Sequence, residues 1–406
     1  MLVYNPVETS MSRMKVEFPA VQTRLTPAEE EVLLRTLREN PTWSQGEEQK
    51  RFEQEFTSYI GCADSVAVSS CTAALELAAT LLRLGPDDEV ILPAHTFVSS
   101  AVPFGRTGAR IVFADIDPDT RVVTADTIRR CLSPRTKAAV VVHLYGLPAD
   151  MDPILELASQ NGFAIVEDSA QAAGATYKGR KTGSMGDFGC FSFQTQKNMS
   201  TLGEGGMLTV RRKGDAEIAR KLRWMGIWPF PGERARYWAP AMGNLVAGLE
   251  GVWPFNFCLS EAQCAVGRLL LRRLDEINEE RRAQARLIRD GLREFPELVF
   301  QHVPAERTHA YHLLSARFDG ASYGKTRDDL IDLLYREYNL KCIVQYWPLY
   351  RSELFQSFGF GQADVPECDR FFDNMISFPF WSAMPEEVMA YMVQSVGEAI
   401  ARLRRV

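Results

Sequence analysis

Across residues 72–210, short apolar runs alternate with stretches of helical period. Leu75, Ala78, Ala79 and Leu82 fall on one face of a helix predicted over 72–84, which Gly85-Pro86 ends. Residues 89–92, 111–114 and 138–142 are apolar runs bounded by Pro, Gly, Asp or other polar residues, as buried strands are. Asp152-Pro153 forms an N-cap and first-turn pair for a helix through Ser159, and 163–167 is the next strand. This alternation predicts an α/β fold, an open and mostly parallel sheet with helices on both faces. Ligands of such sheets sit beyond the carboxyl ends of the strands.

The pattern changes after Gly251. Ser260-Glu-Ala-Gln263 has the form of a capping box. It opens a long charged amphipathic segment, with Val266, Leu269, Leu270 and Leu274 on one face, running towards Phe295-Pro296. A strand over 313–318, a helix capped by Thr326, a strand over 341–344 and a final helix after Pro385 follow. The expected organisation is a large α/β domain over 1–255, with an N-terminal arm of about residues 1–17. A smaller α+β domain over 256–406 then begins with the linking helix. There is no internal repeat and no low-complexity tract.

Length and composition narrow the function. The 406 residues are 46% hydrophobic and 24% charged, enough for large cores. A net charge of −6, and no basic run longer than Arg211-Arg212-Lys213, argue against nucleic acid as a partner. The eight cysteines form no Cys-x-x-Cys pair and have no histidine at zinc spacing, so no metal site is expected. Scattered cysteines in a chain of this size read as free thiols of a reducing compartment. No stretch approaches the roughly 18 apolar residues of a membrane span, and no apolar signal-peptide core stands near the start. The expectation is a soluble, cytoplasmic protein that does not engage a membrane.

Four features carry chemistry, and their order matters more than any one of them. In Val66-Ala-Val-Ser-Ser-Cys-Thr-Ala-Ala-Leu75 a strand feeds a helix, which leaves the amides of Cys71, Thr72 and Ala73 at the helix N-terminus as an anion site. Ordinary capping explains the same residues. Asp168 ends the strand in Val-Glu-Asp-Ser-Ala-Gln171, where a carboxylate can hold a protonated aromatic nitrogen in a charge-assisted bond. A loop or capping acid is the plainer reading. Lys197 follows the apolar Gly189-Cys-Phe-Ser-Phe-Gln194 run and precedes Gly203-Glu-Gly-Gly206. A partly desolvated lysine there can attack an aldehyde, whereas an isolated lysine is ordinarily solvated. Gly183, Gly186 and Gly189 do not make a dinucleotide-binding fingerprint. Asn256, ahead of the long helix, is by itself a turn residue.

Together these segments resemble the DegT/DnrJ/EryC1/StrS sugar aminotransferases, within fold type I of the pyridoxal-phosphate enzymes. Ser70-Cys-Thr-Ala-Ala-Leu75, Asp88-Glu-Val-Ile-Leu-Pro93, Asp115-Ile-Asp117, His143-Leu-Tyr-Gly146, Glu167-Asp-Ser-Ala-Gln171 and Lys197 stand in the family's order. Tyr346-Trp-Pro-Leu349 and Ser377-Phe-Pro379 extend the likeness into the smaller domain. The resemblance implies pyridoxal 5'-phosphate as cofactor, Lys197 as its Schiff-base lysine and Asp168 as the partner of its ring nitrogen. It further implies Gln171 near the phenolic oxygen, Phe97 stacked on the ring, and Thr72, neighbouring amides and Ser192 on the phosphate. Asn256 would reach the phosphate of a second subunit, so a homodimer with shared active sites is implied.

Glutamate or glutamine is the implied amino donor, and a ketone on a sugar or cyclitol the acceptor. Nucleotide-sugar members commonly carry Ser-Gly-Thr, a histidine before the lysine segment, and Asn-Tyr-Arg near the long helix. Cys71, Gln194 and Cys258 stand at those places here, the last two similar to the branch that aminates inososes. Losing that arginine removes a fixed cation for a diphosphate, although Arg234 and Arg236 could supply others. A nucleotide-linked keto-sugar therefore stays open as acceptor. The related dehydratases replace the lysine by histidine, unlike Lys197. A non-catalytic regulator on the same scaffold is the remaining alternative.

Overall fold

The computed structural model describes residues 2, 13–229, 238, 240 and 242–405. Most of the expected arm, and the loop carrying Arg234 and Arg236, lie outside the described residues. Seven strands form the central sheet: β1 Asp64–Val68, β2 Glu89–Pro93, β3 Arg110–Ala114, β4 Thr136–Val142, β5 Ala164–Asp168, β6 Phe188–Ser192 and β7 Gly206–Val210. Their order is β1-β7-β6-β5-β4-β2-β3. Strands β2 to β6 pair in parallel, while β7 runs antiparallel to both neighbours, β1 and β6. Every residue of β2, β6 and β7 is buried, which explains why these strands are continuous apolar runs rather than alternating ones.

Ala and Leu make the helix Cys71–Leu81 a strong former that can also be almost wholly buried against the sheet. Two further helices, Pro27–Glu39 and Glu47–Ile60, were not foreseen. The second sets Phe52, Phe56 and Ile60 four residues apart, a narrow stripe that packs on Phe191 and Phe193.

The capping box at Ser260 forms as expected, its hydroxyl accepting from the Gln263 amide. The long segment it opens is two helices, Glu261–Arg272 and Leu274–Gly291, broken at Arg273. The break keeps Leu270, Leu271 and Leu274 against Phe52 and Phe193, while Ala285 and Ile288 enter a second core. Leu269 is only half-buried. That second core lies on a three-stranded antiparallel sheet, Leu298–Phe300, Leu314–Phe318 and Met375–Phe378. The helices Arg327–Tyr338, capped by Thr326, and Glu386–Leu403 pack on it.

Two further expected elements differ. The strand over 341–344 is replaced by isolated bridges, Leu340 to Val16 and Ile343 to Ser377. The chain leaves one partner for another within a few residues, so no ladder develops. The helix expected to start at Asp152 spans Met151–Asn161, because the Asp152 carboxylate is taken by Lys178 and Arg180 rather than by a helical amide.

Candidate active site

Strand order brings the chemistry to one edge. The Cys71 helix leaves the carboxyl end of β1, His95 and Phe97 follow β2, Asp168 ends β5, and Ser192 ends β6 with Lys197 beyond it. Gly206 starts β7 in register with both Val68 and Ser192. A Cβ there would lie 2.4 Å from the Ser70 carbonyl carbon and 2.6 Å from the Cys71 amide nitrogen. Only glycine lets β7 press against this turn. The Ala73 amide closes onto Ser70 Oγ at 3.1 Å. Among the described residues the amides of Cys71 and Thr72 have no protein acceptor, so the helix end retains donors for an anion. The Thr72 hydroxyl donates to Ser99 Oγ at 3.0 Å, and Ser192 is buried with its Oγ 3.4 Å from the Gln194 amide.

Asp168 is 5% exposed. Its Oδ2 accepts from Ser100 Oγ at 2.7 Å and its Oδ1 from the Ala170 amide at 3.1 Å, with Cys71 Sγ 3.9 Å away. It forms no ion pair within the chain's described residues. A buried carboxylate whose donors are all neutral, with no cation at ion-pair distance among the described residues, is costly unless a positive group arrives. The protonated ring nitrogen of pyridoxal phosphate is such a group. Gln171 Oε1 accepts from the Tyr145 amide at 2.7 Å, which fixes the side chain so that Nε2 donates to Tyr346 Oη at 3.3 Å. Phe97 stands half-exposed with its ring edge-on to Tyr346, at 5.8 Å between centroids.

Lys197 lies on a cavity of about 470 Å³, together with Thr72, Phe97, Gln194, His312 and Tyr346. A turn after β6, closed by the Lys197 amide on the Gln194 carbonyl at 2.8 Å, aims the side chain inward, and buried Asn198 anchors the turn by donating to Asn278 and to the Ala310 carbonyl. Desolvation lowers the Lys197 pKa and the Asp168 charge opposes the shift, so more of the amine is neutral than in water. Its Nζ lies 3.5 Å from His312 Nε2.

The structure thus brings Lys197, Asp168, Gln171, Phe97, Ser192 and the Cys71–Ala73 turn to one edge. Asn256 stands apart: it is exposed, bridges Trp224, and does not line this cavity. Sequence reasoning missed Gln22, Ser100 and His312. Glu204 and Tyr346 fell inside quoted motifs without a role. His312 sits just before an expected strand, where nothing local marks it.

This fold and this edge define a pyridoxal-phosphate-dependent aminotransferase. The chain belongs to the DegT/DnrJ/EryC1/StrS aminotransferase family, which it matches over residues 25–397. It is 35% identical over 359 residues to the spore coat polysaccharide biosynthesis protein SpsC of Bacillus subtilis, covering 88% of this chain and 90% of that one. It is 37% identical over 285 residues to the GDP-perosamine synthase of Caulobacter vibrioides, with 69% and 71% covered. The solved structure of the aminotransferase TlmJ from Streptoalloteichus hindustanus matches with a TM-score of 0.85 at 31% identity, over 95% of this chain and 100% of that one.

Proposed function

We propose that this enzyme moves an amino group from glutamate or glutamine to a ketone on a sugar or cyclitol, with Lys197 as the residue that holds the cofactor and carries the proton. The observation that carries the reading is the buried Asp168, with no ion pair among the described residues, beside the desolvated Lys197 at one sheet edge. Bound pyridoxal phosphate supplies an aldehyde for amino groups and a cationic ring that stabilises negative charge next to the exchanged proton. Asp168 would hold the ring nitrogen, Gln171 the phenolic oxygen, and Phe97 one face of the ring. The amides of Cys71 and Thr72, with the Thr72 and Ser192 hydroxyls, would hold the phosphate. Lys197 Nζ takes up and returns the proton as the amino group passes from donor to acceptor.

Asn256 lies in an exposed apolar neighbourhood with Met225, Leu245 and Trp253. This supports a homodimer in which it serves the partner's phosphate. The eight free thiols fit a reducing, cytoplasmic setting. Gln194 and Cys258 favour an acceptor without a nucleotide. The likeness to GDP-perosamine synthase favours a second reading, in which the acceptor is a nucleotide-linked keto-sugar. Loss of the cofactor's visible absorbance with L-glutamate or L-glutamine, and its return with scyllo-inosose or a nucleotide-linked keto-hexose, tests donor and acceptor in turn. No change with either amino acid would refute the donor assignment.

A further inference from the structure

Next to Lys197 the cavity wall carries a side-chain amide whose donor the protein leaves unused. Gln22 is 4% exposed, and its Oε1 lies 3.3 Å from Arg281 Nη1. A guanidinium only donates, so the carbonyl of the amide must face Arg281 and the Nε2 donor is left for the cavity, which Gln22 lines. Arg281 itself is fully buried. It donates to the carbonyls of Tyr311 at 2.8 Å and His312 at 3.0 Å and to Ser382 Oγ at 3.0 Å, and it lies over the Phe380 ring. None of its partners is an acid, an expensive arrangement for a buried cation. What its fork does is lock the Gln22 segment to the His312 segment. Among the described residues, the fixed charges lining this cavity are Lys197 and Glu204. From the described residues a diphosphate would meet a carboxylate here and no spare cation.

We propose that Gln22, positioned by Arg281, presents a neutral hydrogen-bond donor that reads a hydroxyl of an uncharged polyol ring carrying no nucleotide. This rests on the amino-transfer reading for the reaction and adds what recognises the acceptor. Calorimetric titration of the holoenzyme with scyllo-inositol, an inert ring of hydroxyls, tests it. The wild-type enzyme should bind, and Gln22→Met, which keeps shape and loses the amide, should weaken binding about tenfold, one hydrogen bond's worth. Arg281→Lys keeps the charge without the fork and should weaken binding to a similar extent. The double variant should lose no more than Gln22→Met alone, since both changes act through one amide. No binding by the wild type, equal affinity in Gln22→Met, or additive losses in the double variant would each overturn the proposal. Conversion of the same holoenzyme by L-glutamate or L-glutamine tests the amino-transfer reading separately, so the two fail independently.

Discussion

Ser100 donates its hydroxyl to Asp168 Oδ2 at 2.7 Å, and Thr96 stands 2.8 Å behind Ser100. The carboxylate can only accept, so Ser100 spends its proton on Asp168 and must accept from Thr96. This relay orients the acid without neutralising it. Asp168→Asn should retain the cofactor and lose at least about a hundredfold in turnover, because an amide cannot keep the ring nitrogen protonated. Ser100→Ala should cost about tenfold, the value of one hydrogen bond to a charged group. Steady-state rates on cofactor-saturated variants decide, and near-wild-type turnover in Asp168→Asn would assign the ring nitrogen to another group.

Lys197→Ala and Lys197→Arg should both abolish turnover in a folded protein. Arginine keeps the charge, but its guanidinium stays protonated and cannot act as the amine nucleophile. Borohydride treatment of the wild type followed by peptide mapping should locate the reduced cofactor on Lys197. An adduct on a different lysine would refute the assignment.

At position 206, an added methyl would meet backbone atoms of Ser70 and Cys71, which have no rotamer with which to escape. Gly206→Ala should therefore displace the amides at the start of the Cys71 helix and weaken pyridoxal-phosphate binding at least about tenfold, the loss of one or two anion-directed hydrogen bonds. Gly214→Ala, where nothing lies within 4 Å of an added Cβ, is the control. Cofactor titration followed by absorbance compares them, and equal affinities would remove this turn from the phosphate site.

If Asn256 serves the neighbouring subunit, mixing a Lys197→Ala chain with an Asn256→Asp chain should restore part of the lost activity. Each hybrid then contains one site with both residues intact. Aspartate places a negative charge where a phosphate would sit, so that single variant should be severely impaired. A fully active monomer by light scattering would contradict the shared site.

How much of this was legible in the sequence depended on how far each interaction reached. The strands of the parallel sheet were readable because burial on both faces makes them continuous apolar runs, as at β2 and β6. The caps at Ser260 and Thr326 were readable because a capping box is local. Lys197 and Asp168 stood out only through the order of motifs around them. The helix Glu47–Ile60 was hidden because three apolar residues among many charges make too thin a stripe. The break at Arg273 carries no Gly or Pro to announce it. The bridges at Leu340 and Ile343 look like a strand to any local criterion, since their pairing partners lie far away in sequence. Gln22 and His312 gain their place from Arg281, through contacts that no periodicity encodes.

Three of the buried histidines, His95, His309 and His312, give the enzyme a predictable acid limit. His309 Nδ1 accepts from the Tyr311 amide at 2.8 Å, which leaves Nε2 to donate to Gln301 Oε1 at 2.9 Å, so the neutral ring is fixed at both nitrogens. Burial holds His309 and His312 well below the ordinary histidine range and pushes His95 down to about 3. In the unfolded chain each returns to roughly 6.5. Below that value the unfolded state binds more protons than the folded state, so stability is full above about pH 7 and falls as the pH drops. Each histidine contributes about 1.4 kcal/mol per pH unit well below 6.5, about 4 kcal/mol per unit for the three. Carboxylates held down by their partners, such as Glu167, which burial pushes up but His143 and backbone amides pull down further, give way as the pH falls through the ordinary carboxylate range and below it. The interval from pH 6.5 to 5 therefore isolates the histidines. Thermal midpoints measured from pH 8 to 5 should be level down to about pH 7 and then decline steeply. His309→Gln should start lower, for the lost ring contacts, and decline by about a third less. A midpoint that stays level to pH 5 would show that these rings are not held neutral.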